Sequence, residues 1–246
     1  HVTSKLLSYG DRILPLLEDR YLHETQAGLQ VEIHKLIDKI QQGGLHSSLK
    51  KWAQEGAMDI FEGIFLISRF RYPELSRQVV NNQLDKLKLE AWLELSFQES
   101  PLDKVRIINQ VLYEQNGFTG NVDHYHQPDN SYINRVLETK KGNPISLAII
   151  YSIISQRLNI PIFGVNLPQH FILGYKDDSR LPHTGFKGNQ YLDWRMDGEV
   201  LFYINAFNKG SIFNRFNIDQ FLKQLSLAPQ ELYYEPCSNV DIIMRV

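Results

Sequence analysis

Apolar residues recur at helical spacing through the first half of the chain. In residues 25–43, Leu29, Ile33, Leu36, Ile37 and Ile40 share one helical face, and the pair Gly43-Gly44 is expected to stop the run. In residues 57–71, Ile60, Ile64 and Ile67 form a stripe with Phe61 and Phe65 beside it, which predicts a broadly buried helix. Tyr72-Pro73 ends it, because the residue before a proline avoids helical geometry. Leu84, Leu87, Ala91 and Leu95 predict the next helix, and Val105, Ile108 and Leu112 one more before Gly117. Residues 117–130, GFTGNVDHYHQPDN, then change to loop chemistry.

The second half mixes one apolar helix with short strands. Asn143 suits an N-cap and Pro144 the first helical position, where a missing N–H costs nothing. The helix over residues 144–159 is apolar nearly all round and should be buried on most sides. Asn159-Ile160-Pro161 ends it. Residues 162–166 and 171–175 read as strands around a turn at Pro168, and residues 190–195 and 200–205 as two more, joined at Asp197-Gly198. Helical patterns return over 218–225 and from Asn239. Strands this closely spaced leave no room for helical crossovers, so the layout is α+β with an antiparallel sheet. The expected division is a helical domain over residues 1–117 and an α+β core over 118–246.

Composition narrows the function. The 246 residues are 43% hydrophobic and 11% aromatic, enough for proper cores. A formal net charge of −2 argues against a nucleic-acid partner, and the lysine pairs Lys50-Lys51 and Lys140-Lys141 read as solvated faces. The single cysteine, Cys237, excludes a disulfide scaffold and a thiolate metal cluster, and suits a reducing cytoplasm. No apolar run is long enough to span a bilayer, so no membrane partner is expected, and the first ten residues lack a signal peptide's apolar stretch.

Three residues could carry chemistry together. Ser146 stands in the first turn of the apolar helix, where unpaired N–H groups and the helix dipole favour negative charge. The dipole contributes about 0.3–1 kcal/mol, far too little to ionise an alcohol, so a nucleophilic Ser146 needs a general base. The other reading of Ser146 is a helix-start residue that hydrogen-bonds locally. His170, at a strand start, could be the base, or a strand-end histidine satisfied by backbone. Asn205 could orient the histidine or simply open a turn, and Asp193 is the alternative orienting residue. His124 and His126 lack a third ligand at a recognisable spacing, so neither a metal nor a cofactor is expected. Cys237 reads as an inert packed thiol.

The run GFTGNVDHYHQPDNSYINRVLETKKGNPISLAIIYSIISQRLNIPIFGVNLPQHFILGY, with FYINAFNKG after it, resembles the transglutaminase-like core family of the SirB regulator type. The blocks GNPISL, PQHF and INAFNKG are specific in combination. The resemblance implies a helical N-terminal region followed by a papain-like core, with a central buried helix packed on an antiparallel sheet. It places Ser146 at the position of the nucleophilic cysteine, His170 at the histidine and Asn205 at the aspartate. Papain-type proteases also orient their histidine with Asn, so Asn205 is a mild departure. Ser146 removes the thiolate that a thioester route needs. In that family the helix starting near Asn239 would open a C-terminal helical repeat region. The implied function is a non-catalytic protein-binding or regulatory module with an unidentified protein partner. A structural adaptor that binds through its helical domain ranks next. A serine-dependent hydrolase or amidase using Ser146, His170 and Asn205 is the catalytic alternative.

Overall fold

A computed structural model describes residues 2–96, 99–177, 192, 193, 195 and 197–246. The chain opens with α1 (Val2–Ser8), α2 (Leu14–His23) and α3 (Ala27–Gln54). Next come α4 (Ile60–Arg71), α5 (Arg77–Glu94) and α6 (Pro101–Asn109), the last running into a π-helical turn over Gln110–Gln115. Among the described residues the first strand is β1 (Thr119–Gly120), so everything before Gly117 is helical or loop, as the spacing predicts. After it follow α7 (Ile133–Thr139), β2 (Lys141–Gly142), α8 (Pro144–Arg157), β3 (Ile162–Leu167), β4 (His170–Lys176), β5 (Val200–Asn205), β6 (Ser211–Phe213), α9 (Arg215–Gln224) and α10 (Asn239–Ile243).

Strands β3 to β6 form one antiparallel sheet in sequence order, and β1 pairs with β2 in a short parallel ladder. The alternation of strand side chains divides the sheet into two faces. Ile162, Phe171, Leu173, Tyr175 and Ile204 join the main core with α8, while Val165, Leu167, Ile172 and Tyr203 pack with Ile218 and Leu222 of α9. Helix α8 lies between the sheet and helices α4, α5 and α7. Every residue from Ser146 to Ser155 on it is buried. Its even apolarity is therefore the signature of a helix with neighbours on all sides. The main core runs from Trp52 to Ile243 without a break at Gly117.

Two helix boundaries depart from expectation. Helix α3 does not stop at Gly43-Gly44 but continues to Gln54. Two glycines cost roughly 1 kcal/mol each in a helix, but the segment beyond them carries Leu45, Leu49, Trp52 and Ala53 onto the main core. Full burial of a Leu-sized side chain contributes about 1.5–3 kcal/mol, so the burial of Trp52 together with the partial burial of the other three outweighs the glycines. Helix α4 starts at Ile60 rather than Ala57, because Ala57 takes a left-handed conformation (φ 49) and Asp59 caps the helix by accepting the Phe61 N–H at 2.9 Å. The strand expected over residues 190–195 lies mostly outside the described residues, and Leu192 and Asp193 form no strand. Among the described residues no helix is long and apolar enough to cross a membrane.

Candidate functional site

The start of α8 is set by a reciprocal cap. Asn143 Oδ1 accepts the Ser146 N–H at 2.8 Å, and Ser146 Oγ accepts the Asn143 N–H at 3.0 Å. The Ser146 hydroxyl also donates to the Asn143 carbonyl at 3.2 Å. Asn143 Nδ2 donates to Ser131 Oγ at 2.9 Å, which ties the helix start to the preceding loop. A Cβ on Gly142 would lie 2.6 Å from Ser146 Oγ, so this turn needs a glycine for close approach. Ser146 is only 2% exposed.

His170 follows a two-residue hairpin turn in which Pro168 presets its own φ and Gln169 adopts φ 60. The histidine is exposed, and its ring meets Phe221 edge-on at 4.5 Å between centroids. Asn205 ends β5, where its Oδ1 accepts the N–H groups of Phe207 and Asn208, both at 3.1 Å. It therefore opens a turn, one of the two roles its type suggests. That corner is held from the helical side. Asn109 Nδ2 donates to the Gly210 carbonyl at 2.9 Å, Tyr113 Oη to the Ala206 carbonyl at 2.9 Å, and Tyr151 Oη of α8 to Asn109 Oδ1 at 3.0 Å. Burial raises the phenol pKa of both tyrosines well above the ordinary value, so they serve as neutral donors.

The topology brings all three residues toward one end of the sheet. Pairing of Leu173 with Ile204 places the start of β4 and the end of β5 at the same edge. His170 shares a cleft with Asn143, Pro144 and Ile145, while the turn after Asn205 packs against α8. Hydrogen bonding does not join them: among the described residues none links Ser146 Oγ to His170, or His170 to Asn205. Asp193 is engaged by Arg195, whose side chain meets both carboxylate oxygens at 2.7–3.1 Å. Those bonds from Arg195 hold the carboxyl below its usual range.

The cleft has a volume of about 290 Å3. It is lined by Tyr125, His126 and Pro128 of one loop and by His170, Phe171 and Arg245. Two buried asparagines staple the loop: Asn121 Nδ2 donates to Asn130 Oδ1 at 2.8 Å, and Asn130 Nδ2 donates to the carbonyls of His124 and Tyr125 at 2.7 and 3.0 Å. Among the described residues no group of three or more His, Cys, Asp or Glu side chains is arranged to hold a metal. Cys237 Sγ donates to the Gly164 carbonyl at 3.3 Å, and burial pushes its pKa up to about 12. Such a thiol is a poor nucleophile near neutral pH. Sequence reasoning missed Arg245, which reaches the cleft from the chain segment after α10 and carries no local signal. The loop chemistry of residues 117–130 was visible in sequence, but not its place beside α8.

A family model of the transglutaminase-like superfamily matches residues 78–246. The chain belongs to that superfamily. The transglutaminase-like region thus begins within α5 and takes in α8, the sheet and the cleft. Among curated proteins, a UPF0162 protein of Xylella fastidiosa is 39% identical over 133 residues, covering 52% of this chain and 46% of that protein. A UPF0162 protein of Vibrio cholerae is 26% identical over 194 residues, covering 77% of this chain and 64% of that protein. F-box only protein 21 of Mus musculus is 34% identical over 118 residues, 48% of this chain and 16% of that protein. The chain spans about half the length of the first of these relatives. No solved structure gives a significant match.

Proposed function

We propose that this transglutaminase-like chain is of the SirB regulator type and acts as a non-catalytic protein-binding or regulatory module, with Ser146 in place of a nucleophilic cysteine. The observation that carries the reading is the state of Ser146 Oγ, which is buried and both accepts from and donates to Asn143. A serine hydroxyl needs a base in hydrogen-bond contact to become a nucleophile, and the local cap occupies the group instead. The match to F-box only protein 21 covers 16% of that protein. A related segment there is one part of a larger chain, which suits a module that works through partners. The lone Cys237 supports a reducing, cytoplasmic setting.

One observation favours the alternative, a serine-dependent hydrolase or amidase using Ser146, His170 and Asn205: His170 lines the same cleft as Asn143, Pro144 and Ile145. An active-site-directed fluorophosphonate separates the two. The binding-module reading expects no adduct at Ser146 by peptide mass mapping. A stoichiometric adduct there, lost on His170→Ala, would establish the hydrolase.

A further inference from the structure

The cleft beside α8 is electrically one-sided. Among the described residues that line it there is one full cation, Arg245, with His126, His170 and several neutral amides and hydroxyls, and no Asp or Glu. Arg245 makes no ion pair among the described residues. Its Nη1 is anchored on neutral acceptors: Asn166 Oδ1 at 2.8 Å, with the carbonyls of Leu167 at 3.4 Å and His170 at 3.5 Å. The guanidinium also lies 5.9 Å from the centre of the Phe171 ring. These contacts orient the group and leave its Nε and Nη2 donors without a partner among the described residues. The nearest acidic side chain in sequence, Asp241, is used by Ser238, whose backbone N–H and hydroxyl donate to it at 3.1 and 2.6 Å.

A guanidinium held along one edge with its other fork unused matches the two oxygens of a carboxylate, because paired N–H···O bonds of that geometry are the strong, directional ones. The loop that also lines the cleft adds surface suited to a peptide. Tyr125 is 45% exposed, its ring fixed edge-on against Phe207 at 5.9 Å, on a loop already tied down by Asn121 and Asn130. An aromatic held in place beforehand loses little entropy on binding.

We propose that this cleft binds a carboxylate of a partner polypeptide, with Arg245 as the recognising cation and Tyr125 beside the bound chain. The inference rests on the binding-module reading and names the chemistry of its partner. Its test does not involve Ser146 chemistry, so the fluorophosphonate outcome and this one fail separately.

The test uses the chain itself, labelled with 15N, titrated with N-acetylglutamate amide and with its neutral isostere N-acetylglutamine amide. N-acetylglycine supplies a terminal carboxylate, so that a chain end and an acidic side chain are told apart. The expected result is saturable shifts at Arg245 Nε and at the Ile145 and Phe171 amides with at least one carboxylate probe, and none with the glutamine analogue. Arg245→Gln should weaken binding about tenfold or more, the usual weight of a hydrogen bond to a charged group. Arg245→Lys should keep part of the affinity. Equal responses to the acid and the amide, or shifts spread evenly over the other arginines, would overturn the proposal. That comparison needs only the unaltered chain, so it stands even if a variant folds poorly.

Discussion

The cap at the start of α8 can be taken apart one residue at a time, and the energies discriminate between a structural and a chemical Ser146. Replacing Asn143 by Ala removes the acceptor of the Ser146 N–H and the donor to Ser131 Oγ. A lost N-cap costs about 0.5–2 kcal/mol, and a neutral hydrogen bond adds about 0.5–1.5. The expected loss for Asn143→Ala is thus about 1–3.5 kcal/mol. Ser146→Ala removes the 3.0 Å acceptor of the Asn143 N–H and leaves it only the Asn130 carbonyl at 3.4 Å. The lost bond costs about 1 kcal/mol, offset in part by alanine's better helix propensity. A net loss of about 0.5–1 kcal/mol is expected for that variant. Because the two residues satisfy each other, the double variant should lose less than the sum of the singles, by about 0.5 kcal/mol or more.

Urea unfolding followed by far-ultraviolet circular dichroism measures all three, provided the slope with denaturant stays constant. The opposite outcome is also physically well defined. Residues kept for chemistry often lower stability, so removing them commonly stabilises a protein. If Ser146→Ala raised the midpoint, or if the two substitutions proved additive, the reciprocal cap would not be what Ser146 is there for.

Three further outcomes follow from the geometry. Gly43→Ala should stabilise the chain by about 0.5–1 kcal/mol, since Gly43 is exposed within α3 and its new Cβ meets no atom within 4 Å; an unchanged or lower melting temperature would count against a continuous helix there. Ile149→Ala and Ile153→Ala should each cost about 2–5 kcal/mol, being 1% and 3% exposed on α8, and a negligible shift in thermal melting in both would make that helix peripheral. Cys237 gives a pH signature. Its folded thiol pKa of about 12 exceeds an unfolded value of about 8.5, so its contribution is complete below the unfolded value and is lost as pH rises toward the folded one. Between pH 9 and 10, stability should therefore fall about 1 kcal/mol more steeply in the native chain than in Cys237→Ala; equal slopes in chemical denaturation would show that the thiol ionises freely when folded.

What could be read from sequence divides by range. The start of α8 was legible because its determinants are adjacent: a capping Asn143, Pro144 where no N–H is needed, and an apolar run after them. The hairpin at Pro168 and the strand Val200–Asn205 were legible for the same reason. Helix α3 was misjudged at Gly43-Gly44 because the compensation is tertiary, supplied by Trp52 and its neighbours against the main core. The order of helix, strand and strand that carries Ser146, His170 and Asn205 was likewise legible. It did not foretell their hydrogen bonds, because each side chain has a nearer claim on it. Asn143 takes Ser146, Phe221 packs edge-on with the His170 ring, and the turn N–H groups of Phe207 and Asn208 take Asn205. A polar residue near a helix start or strand end satisfies local backbone at little entropic cost, whereas a contact across the fold must also hold two elements in register. The hydrogen bonds of Ser146 are those of helix initiation. Arg245 is the converse: its partners Asn166, Leu167 and His170 bracket a hairpin turn 75 to 79 residues away, so no local pattern announces it.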